Sequence, residues 1–72
     1  MIYTKNPEDI KREIKIMLLN ANMTQIQLSE KLGKSPQSVN NVIRQQNISL
    51  YTLTDIANAA GYDVEINFVK RD

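Results

Sequence analysis

Three side chains able to form paired hydrogen bonds recur at helical spacing in the middle of the chain. Gln37, Asn41 and Arg44 are separated by four and three residues, and a step of about 100° per residue places them on one stripe of a helix. Carboxamides pair with adenine and a guanidinium pairs with guanine in the major groove of DNA. Ser38 and Asn40 flank the stripe. Taken singly, such residues are ordinary on solvated helices, so the surrounding elements decide whether this face reads base edges.

The helix that carries the stripe is predicted from about Ser35 to Gln45. Ser35 can cap its start, and Pro36 suits the first helical position because no intrahelical partner is needed there. Its opposite face is apolar and should turn inward, with Val39, Val42 and Ile43.

A second short helix precedes this one and ends in a turn. Thr24 and Gln27 have the spacing of a capping box, and Gly33 can end the helix with a positive φ. Leu28 and Leu32 form its apolar face, and Ser29 is small where two helices must cross closely. Two short helices joined at a glycine are a candidate helix-turn-helix.

Two further helices are expected around this pair. Asn6 can cap a helix from about Pro7 to Asn20, and Ser49 can cap another that ends at Gly61. The latter has the spacing of a hydrophobic staple between Ile48 and Leu53. Its expected buried face consists of Leu50, Leu53, Ile56, Ala57 and Ala60.

From Tyr62 to Val69 the apolar period changes to two, which predicts a single β-strand. Val64, Ile66 and Phe68 would share one of its faces. A single strand has no ladder partner of its own. It would therefore either pair with the same segment of a second copy, which we favour, or pack on its own chain. The first alternative makes Val64, Ile66 and Phe68 candidate dimerisation residues.

Composition limits the function classes. The chain has 72 residues, which suits one domain: a helical core over 7–61 and a C-terminal strand over 62–70. It has no His and no Cys, so the commonest general base, nucleophile and soft metal ligands are missing. The carboxylates of Asp55, Asp63 and Glu65 form no recognisable acid–base pair. We therefore expect that the protein is not an enzyme and that it has no catalytic residue, cofactor or metal site.

Charge and hydropathy add two expectations. The net charge is only +1, but residues 24–46 carry Lys31, Lys34 and Arg44 against Glu30 alone. The middle of the chain is thus its basic part. No apolar run reaches the length of a membrane span and the N-terminus does not resemble a secretory signal, so we expect a cytoplasmic protein.

From Glu8 to Gly61 the chain resembles the lambda repressor and Cro family, also called XRE-type helix-turn-helix regulators. The resemblance rests on Gln25 opening the second helix, Gly33 in the turn, and the stretch Ser49-Leu50-Tyr51-Thr52-Leu53. It implies a mainly α, lambda-repressor-like DNA-binding domain of four to five helices, to which the sequence adds the C-terminal β-strand. The residues expected to read bases are Gln37, Ser38, Asn41 and Arg44.

Phosphate contacts are expected mainly at helix starts, where backbone amides favour anions. The expected residues are Gln25, Lys34, Ser35, Asn47 and Ser49. After the recognition helix, many family members carry an acidic residue, Asn and Gly, whereas this chain has Arg44-Gln45-Gln46-Asn47. The family's phosphate contact at that end would then come from Arg44, Gln46 or Asn47.

Two functions fit these expectations. The first is a stand-alone repressor that occupies a palindromic operator as a homodimer, with double-stranded DNA as its partner. The second is an antitoxin that represses its own operon and captures a toxin protein through another surface, such as the terminal strand. The chain has no long disordered tail of the kind that wraps a toxin, so we place the antitoxin second.

Overall fold

Four α-helices make up all the regular structure in a computed structural model that describes residues 1–72. They are α1 (Pro7–Asn20), α2 (Gln25–Leu32), α3 (Pro36–Ile43) and α4 (Leu50–Ala59). The predicted mainly helical fold and all four predicted helices are confirmed. None of these helices is long and apolar enough to cross a membrane.

Each helix begins at a side-chain cap that the sequence predicts. The oxygens of Asn6, Thr24, Ser35 and Ser49 each accept a hydrogen bond from a backbone N–H of the first turn, at 3.0–3.1 Å. At α2 the capping box is complete, because the Thr24 N–H donates to Gln27 Oε1 at 2.9 Å. A cap of this kind stabilises a helix by about 1 kcal/mol, which matters for helices of only eight residues such as α2 and α3.

Three helices end in the same left-handed turn. The residue with positive φ directly follows α2 at Gly33 (67°), and it lies two positions past the end of α1 at Asn22 (53°) and of α4 at Gly61 (84°). At α2, the N–H groups of Gly33 and Lys34 donate to the carbonyls of Glu30 and Ser29 at 3.1 and 3.0 Å. This is the Schellman pattern, which satisfies the last carbonyls of a helix while turning the chain sharply.

The core lies where the four helices meet, with α2 packed against both α3 and α4. Leu28 of α2 is completely buried in this core, and each of the other helices contributes at least one buried residue. The remaining members of the buried cluster are Ile14, Leu18, Val39, Ile56 and Ala60. Ser29 is also buried, at 1% exposure, and its hydroxyl donates to the Ile26 carbonyl at 2.6 Å. Ser29 is thus enclosed by the apolar core, as its small size allows, and its hydroxyl remains satisfied there.

The predicted C-terminal β-strand is wrong, and with it the predicted fold class as a helical domain plus one strand. Residues 62–72 form no regular structure. Their last backbone hydrogen bond runs from the Tyr62 N–H to the Ala57 carbonyl at 2.8 Å, which still belongs to the end of α4. The alternating apolar pattern fits a strand, but a strand needs a neighbouring extended segment for its ladder, and this helical chain contains none.

The predicted buried face of α4 needs one smaller correction. Ile56, Ala57 and Ala60 are buried and Leu53 packs on the core, but Leu50 is 58% exposed. Ile48 also packs on the core, so the two residues of the hydrophobic staple supply the apolar contact at this end of α4. Leu50, in the first turn, is left at the surface.

Candidate nucleic-acid interface

The α2–turn–α3 unit fixes the orientation of α3. Only Gly33, Lys34 and Ser35 separate the two helices, and the Schellman bonds and the Ser35 cap hold both ends of this connection. On its inner side α3 is anchored by Val39, which is 1% exposed. Val42 and Ile43 pack around the same core. With this face locked by burial, the opposite face of α3 must point to solvent.

The four residues predicted to read bases are all exposed. Gln37, Ser38 and Asn41 lie on α3, and Arg44 is the residue that caps its C-terminus. Amide, hydroxyl and guanidinium groups are the ones that discriminate base edges in the major groove. The structure thus presents the predicted residue types together on one helix and at its end.

Two serine caps carry hydroxyls that are already engaged. Ser35 accepts the Ser38 N–H at 3.1 Å and donates its own proton to the Ser38 hydroxyl at 2.9 Å. Ser49 makes the same pair of bonds with Thr52, at 3.1 and 3.0 Å. The cap uses a lone pair and not the proton, so either hydroxyl can turn its proton toward an anion without uncapping its helix.

The residues predicted to contact phosphate lie at three helix starts and in two connections between helices. Gln25 is the first residue of α2, while Ser35 and Ser49 cap α3 and α4. Lys34 lies in the α2–α3 turn and Asn47 in the connection from α3 to α4, and both are exposed. Helix starts present free N–H groups and a positive dipole end, which is an arrangement suited to phosphate oxygens.

The positively charged side chains near α2 and α3 form no ion pairs within the protein. The ion pairs of the molecule lie at its N-terminus and in α1: Met1–Glu13, Lys11–Glu8 and Arg12–Asp9. Lys31, Lys34 and Arg44 form none. Lys31 and Lys34 line one open groove of about 550 Å³ between α2, α3 and α4. Their charges are thus available to an external anion.

One carboxyl with a lowered pKa, that of Asp9, lies away from this surface. The Thr4 hydroxyl and the Thr4 backbone N–H both donate to Asp9 Oδ2, at 2.7 and 2.8 Å, and these bonds lower the pKa of the Asp9 carboxyl. The nearby Arg12 adds a smaller effect in the same direction. This contact ties the N-terminal segment to the first turn of α1 and has no part in the α3 surface.

One polar contact of the interface has no counterpart in the sequence predictions. Gln25 Nε2 donates to Asn40 Oδ1 at 3.4 Å, and both side chains are half-buried. Sequence periodicity places Asn40 merely beside the reading stripe. The periodicity carries no signal for a contact between helices, because such a contact depends on how α2 and α3 cross.

The predicted dimerisation residues all lie in the irregular C-terminal segment. Val64 is half-buried, whereas Ile66 is 57% and Phe68 fully exposed. They do not form the shared strand face that the sequence predicts. Their apolar side chains remain on the surface of the single chain.

Two short helices joined by a tight turn, with the second locked on one face and polar on the other, define a helix-turn-helix DNA-binding protein. A comparison with family models agrees: the helix-turn-helix family matches residues 14–67, three quarters of the chain. The protein belongs to the lambda repressor and Cro-like, XRE-type helix-turn-helix family of regulators. No curated protein and no solved structure matches it.

Proposed function

We propose that this protein is a transcriptional repressor that binds a palindromic operator as a homodimer, with α3 in the major groove. The observation that carries the proposal is the two-sided character of α3. Val39 fixes its inner face, and its outer face presents Gln37, Ser38 and Asn41 beside Arg44. A repressor of this kind needs no catalytic residue and no cofactor, because it acts by occupying a promoter.

The base-reading roles follow from hydrogen-bond chemistry. The Arg44 guanidinium can donate two hydrogen bonds to guanine, and the amides of Gln37 and Asn41 can each donate to and accept from adenine. Ser38 accepts from Ser35, which leaves its own hydroxyl proton free to donate. Each bidentate contact would contribute about 1–3 kcal/mol of discrimination against the wrong base.

The phosphate contacts would set the register of α3 in the groove. Lys34 would supply a full positive charge, and Gln25, Ser35, Asn47 and Ser49 would donate neutral hydrogen bonds from the starts and connections of the helices. Contacts of this kind position a protein without reading sequence. Because some of these residues precede α3 in the chain and others follow it, their contacts would fix both ends of α3 relative to the DNA backbone.

A second copy is proposed because one recognition helix is short. The eight residues of α3 span about 12 Å, so one subunit reaches only a few base pairs. Two-fold dimers of this class place a second recognition helix about one DNA turn away. The side chains of Val64, Ile66 and Phe68 are proposed to contribute apolar contact area to the dimer.

The test is selection of bound duplexes from a random pool by the intact protein. We expect an enriched sequence with two-fold symmetry and half-sites about one helical turn apart. Gln37→Ala and Asn41→Ala should relax the preference at separate positions of each half-site. A wild-type protein that enriches no sequence would refute the proposal. The proposed dimer contact of Phe68 is tested separately, by sedimentation of Phe68→Ser at a concentration where the wild type is a dimer.

An antitoxin is the second candidate, and the exposed apolar segment favours it. Ile66, Phe68 and Val69 are each more than half exposed, and neighbouring exposed apolar side chains of this kind can form a protein-binding surface. A toxin protein could cover it while the helix-turn-helix represses the shared operon. A toxin gene beside this one, and a stable complex when both are co-expressed, would favour this function over a stand-alone repressor.

A further inference from the structure

We propose that Asn40 is a positioning residue, which holds the Gln25 side chain at the start of α2 and makes no base contact of its own. The contact between Gln25 Nε2 and Asn40 Oδ1, at 3.4 Å, is the one hydrogen bond between side chains of different helices in this protein. It joins the first residue of α2 to the middle of α3. The inference rests on the proposed DNA-binding role of Gln25.

The position of Asn40 on α3 separates it from the base-reading residues. It follows the buried Val39 and precedes the exposed Asn41, and it is itself half-buried against α2. Its amide oxygen is directed to Gln25 and therefore faces the neighbouring helix. Asn40 flanks the stripe of Gln37, Asn41 and Arg44, and a side chain committed to α2 in this way is poorly placed to reach into the groove that this stripe enters.

The benefit of the contact is entropic. A glutamine side chain has many rotamers, and fixing it during binding opposes complex formation. The hydrogen bond to Asn40 uses one N–H of the Gln25 amide and leaves the second N–H to donate to a phosphate oxygen. Asn40 thus orders the Gln25 amide before DNA binds. Part of the side-chain entropy of Gln25 is therefore lost when the protein folds and does not oppose DNA binding.

A double-mutant cycle tests this with two probes, the duplex that the wild type selects and a short duplex of mixed sequence. The variants are Gln25→Ala, Asn40→Ala and the pair together. We expect Asn40→Ala to weaken binding of both duplexes about two- to fivefold, the effect of losing one long neutral hydrogen bond. In the Gln25→Ala background the same change should have almost no further effect, because its target is already gone.

The matched control is Asn41→Ala, one residue along α3. It should change which bases are selected, whereas Asn40→Ala should leave the selected sequence unaltered. Additive effects of Gln25→Ala and Asn40→Ala, or a changed base preference in Asn40→Ala, would overturn the proposal. Thermal unfolding is measured for every variant. The affinities are then compared at a temperature at which all of the variants are folded.

A second measurement needs no DNA. In the free protein the side-chain amide resonances of Gln25 should move toward those of a free amide in Asn40→Ala. They should move in the opposite direction in Asn40→Asp, whose carboxylate accepts a stronger hydrogen bond. Unchanged Gln25 resonances in Asn40→Ala would contradict the contact. Failure of the proposed function is distinguishable, since it would appear in the wild type alone as a protein that binds neither duplex.

Discussion

Replacement of Lys34 by glutamine is expected to make DNA binding less sensitive to salt. Lys34 lies in the turn before α3, is exposed and has no carboxylate partner, so its charge is free to displace a cation from the DNA backbone. Counterion release makes the logarithm of the binding constant fall with the logarithm of salt, with a slope of about −0.9 per neutralised phosphate. Glutamine keeps a similar length and a hydrogen-bond donor but removes the charge.

The expected size of the effect depends on the number of subunits bound. One Lys34 contact per subunit makes the slope shallower by about 0.9 for a monomer and about 1.8 for a dimer. Over a fourfold rise in salt, the wild type should therefore lose about 3.5-fold more affinity than Lys34→Gln if one subunit binds, and about 12-fold more if two bind. Fluorescence anisotropy with the selected duplex at several salt concentrations measures both slopes.

Lys31→Gln is the matched control, because Lys31 lines the same groove, is exposed and forms no ion pair. It lies in the last turn of α2 and has no proposed phosphate contact, so its slope should stay close to that of the wild type. Equal slopes for wild type and Lys34→Gln would refute the phosphate contact at Lys34. Equal changes in the two variants would show that general charge, and not a specific contact, sets the salt dependence.

Three further predictions concern folding. Ser29→Leu should lower the free energy of unfolding by about 1–3 kcal/mol through overpacking, whereas Ser29→Ala should change it by less than about 1 kcal/mol. Urea unfolding of the two variants measures both values, and equal losses would contradict a steric role for Ser29. Gly33→Ala should lower the free energy of unfolding by about 1–2 kcal/mol, because Gly33 has a φ of 67°. Gly33→Asn should lower it less, since Asn22 already adopts a φ of 53° in this chain. Thermal unfolding of the two variants checks this order of stability. The pKa of the Asp9 carboxyl should lie below the ordinary aspartate value by NMR and should rise toward it in Thr4→Val. The stabilisation from these bonds is present above the pKa of the unfolded chain and is lost as the pH falls through the lowered pKa of the folded state. An unmoved midpoint would count against the Thr4 contact.

Local sequence signals are sufficient for the helices of this fold. Each start is decided within a few residues by a side chain that can accept a backbone N–H, as at Thr24 and Ser35. The end of α2 is decided by one residue that tolerates positive φ, Gly33. The exposed face of α3 follows from the same logic, because the burial of Val39 dictates which side chains point outward. These interactions are local, so the order of residues along the chain contains them.

The C-terminal segment marks the limit of such reasoning. The alternation of Val64, Ile66 and Phe68 is compatible with a strand, but a strand is stabilised by hydrogen bonds to another strand and not by its own sequence. Helices satisfy their backbone groups internally, and this segment cannot do so alone. Periodicity alone therefore predicted the secondary structure of this segment wrongly.

The contact between Gln25 and Asn40 lies beyond pattern reasoning for a different reason. The two residues are 15 positions apart, and each alone resembles an ordinary polar residue on a helix surface. Their meeting requires α2 and α3 to cross at one angle, which is set by the close packing around Leu28, Ser29 and Val39. The apolar core thus determines which polar groups face each other at the interface, and a substitution such as Ser29→Leu should move the Gln25 amide as well as destabilise the fold.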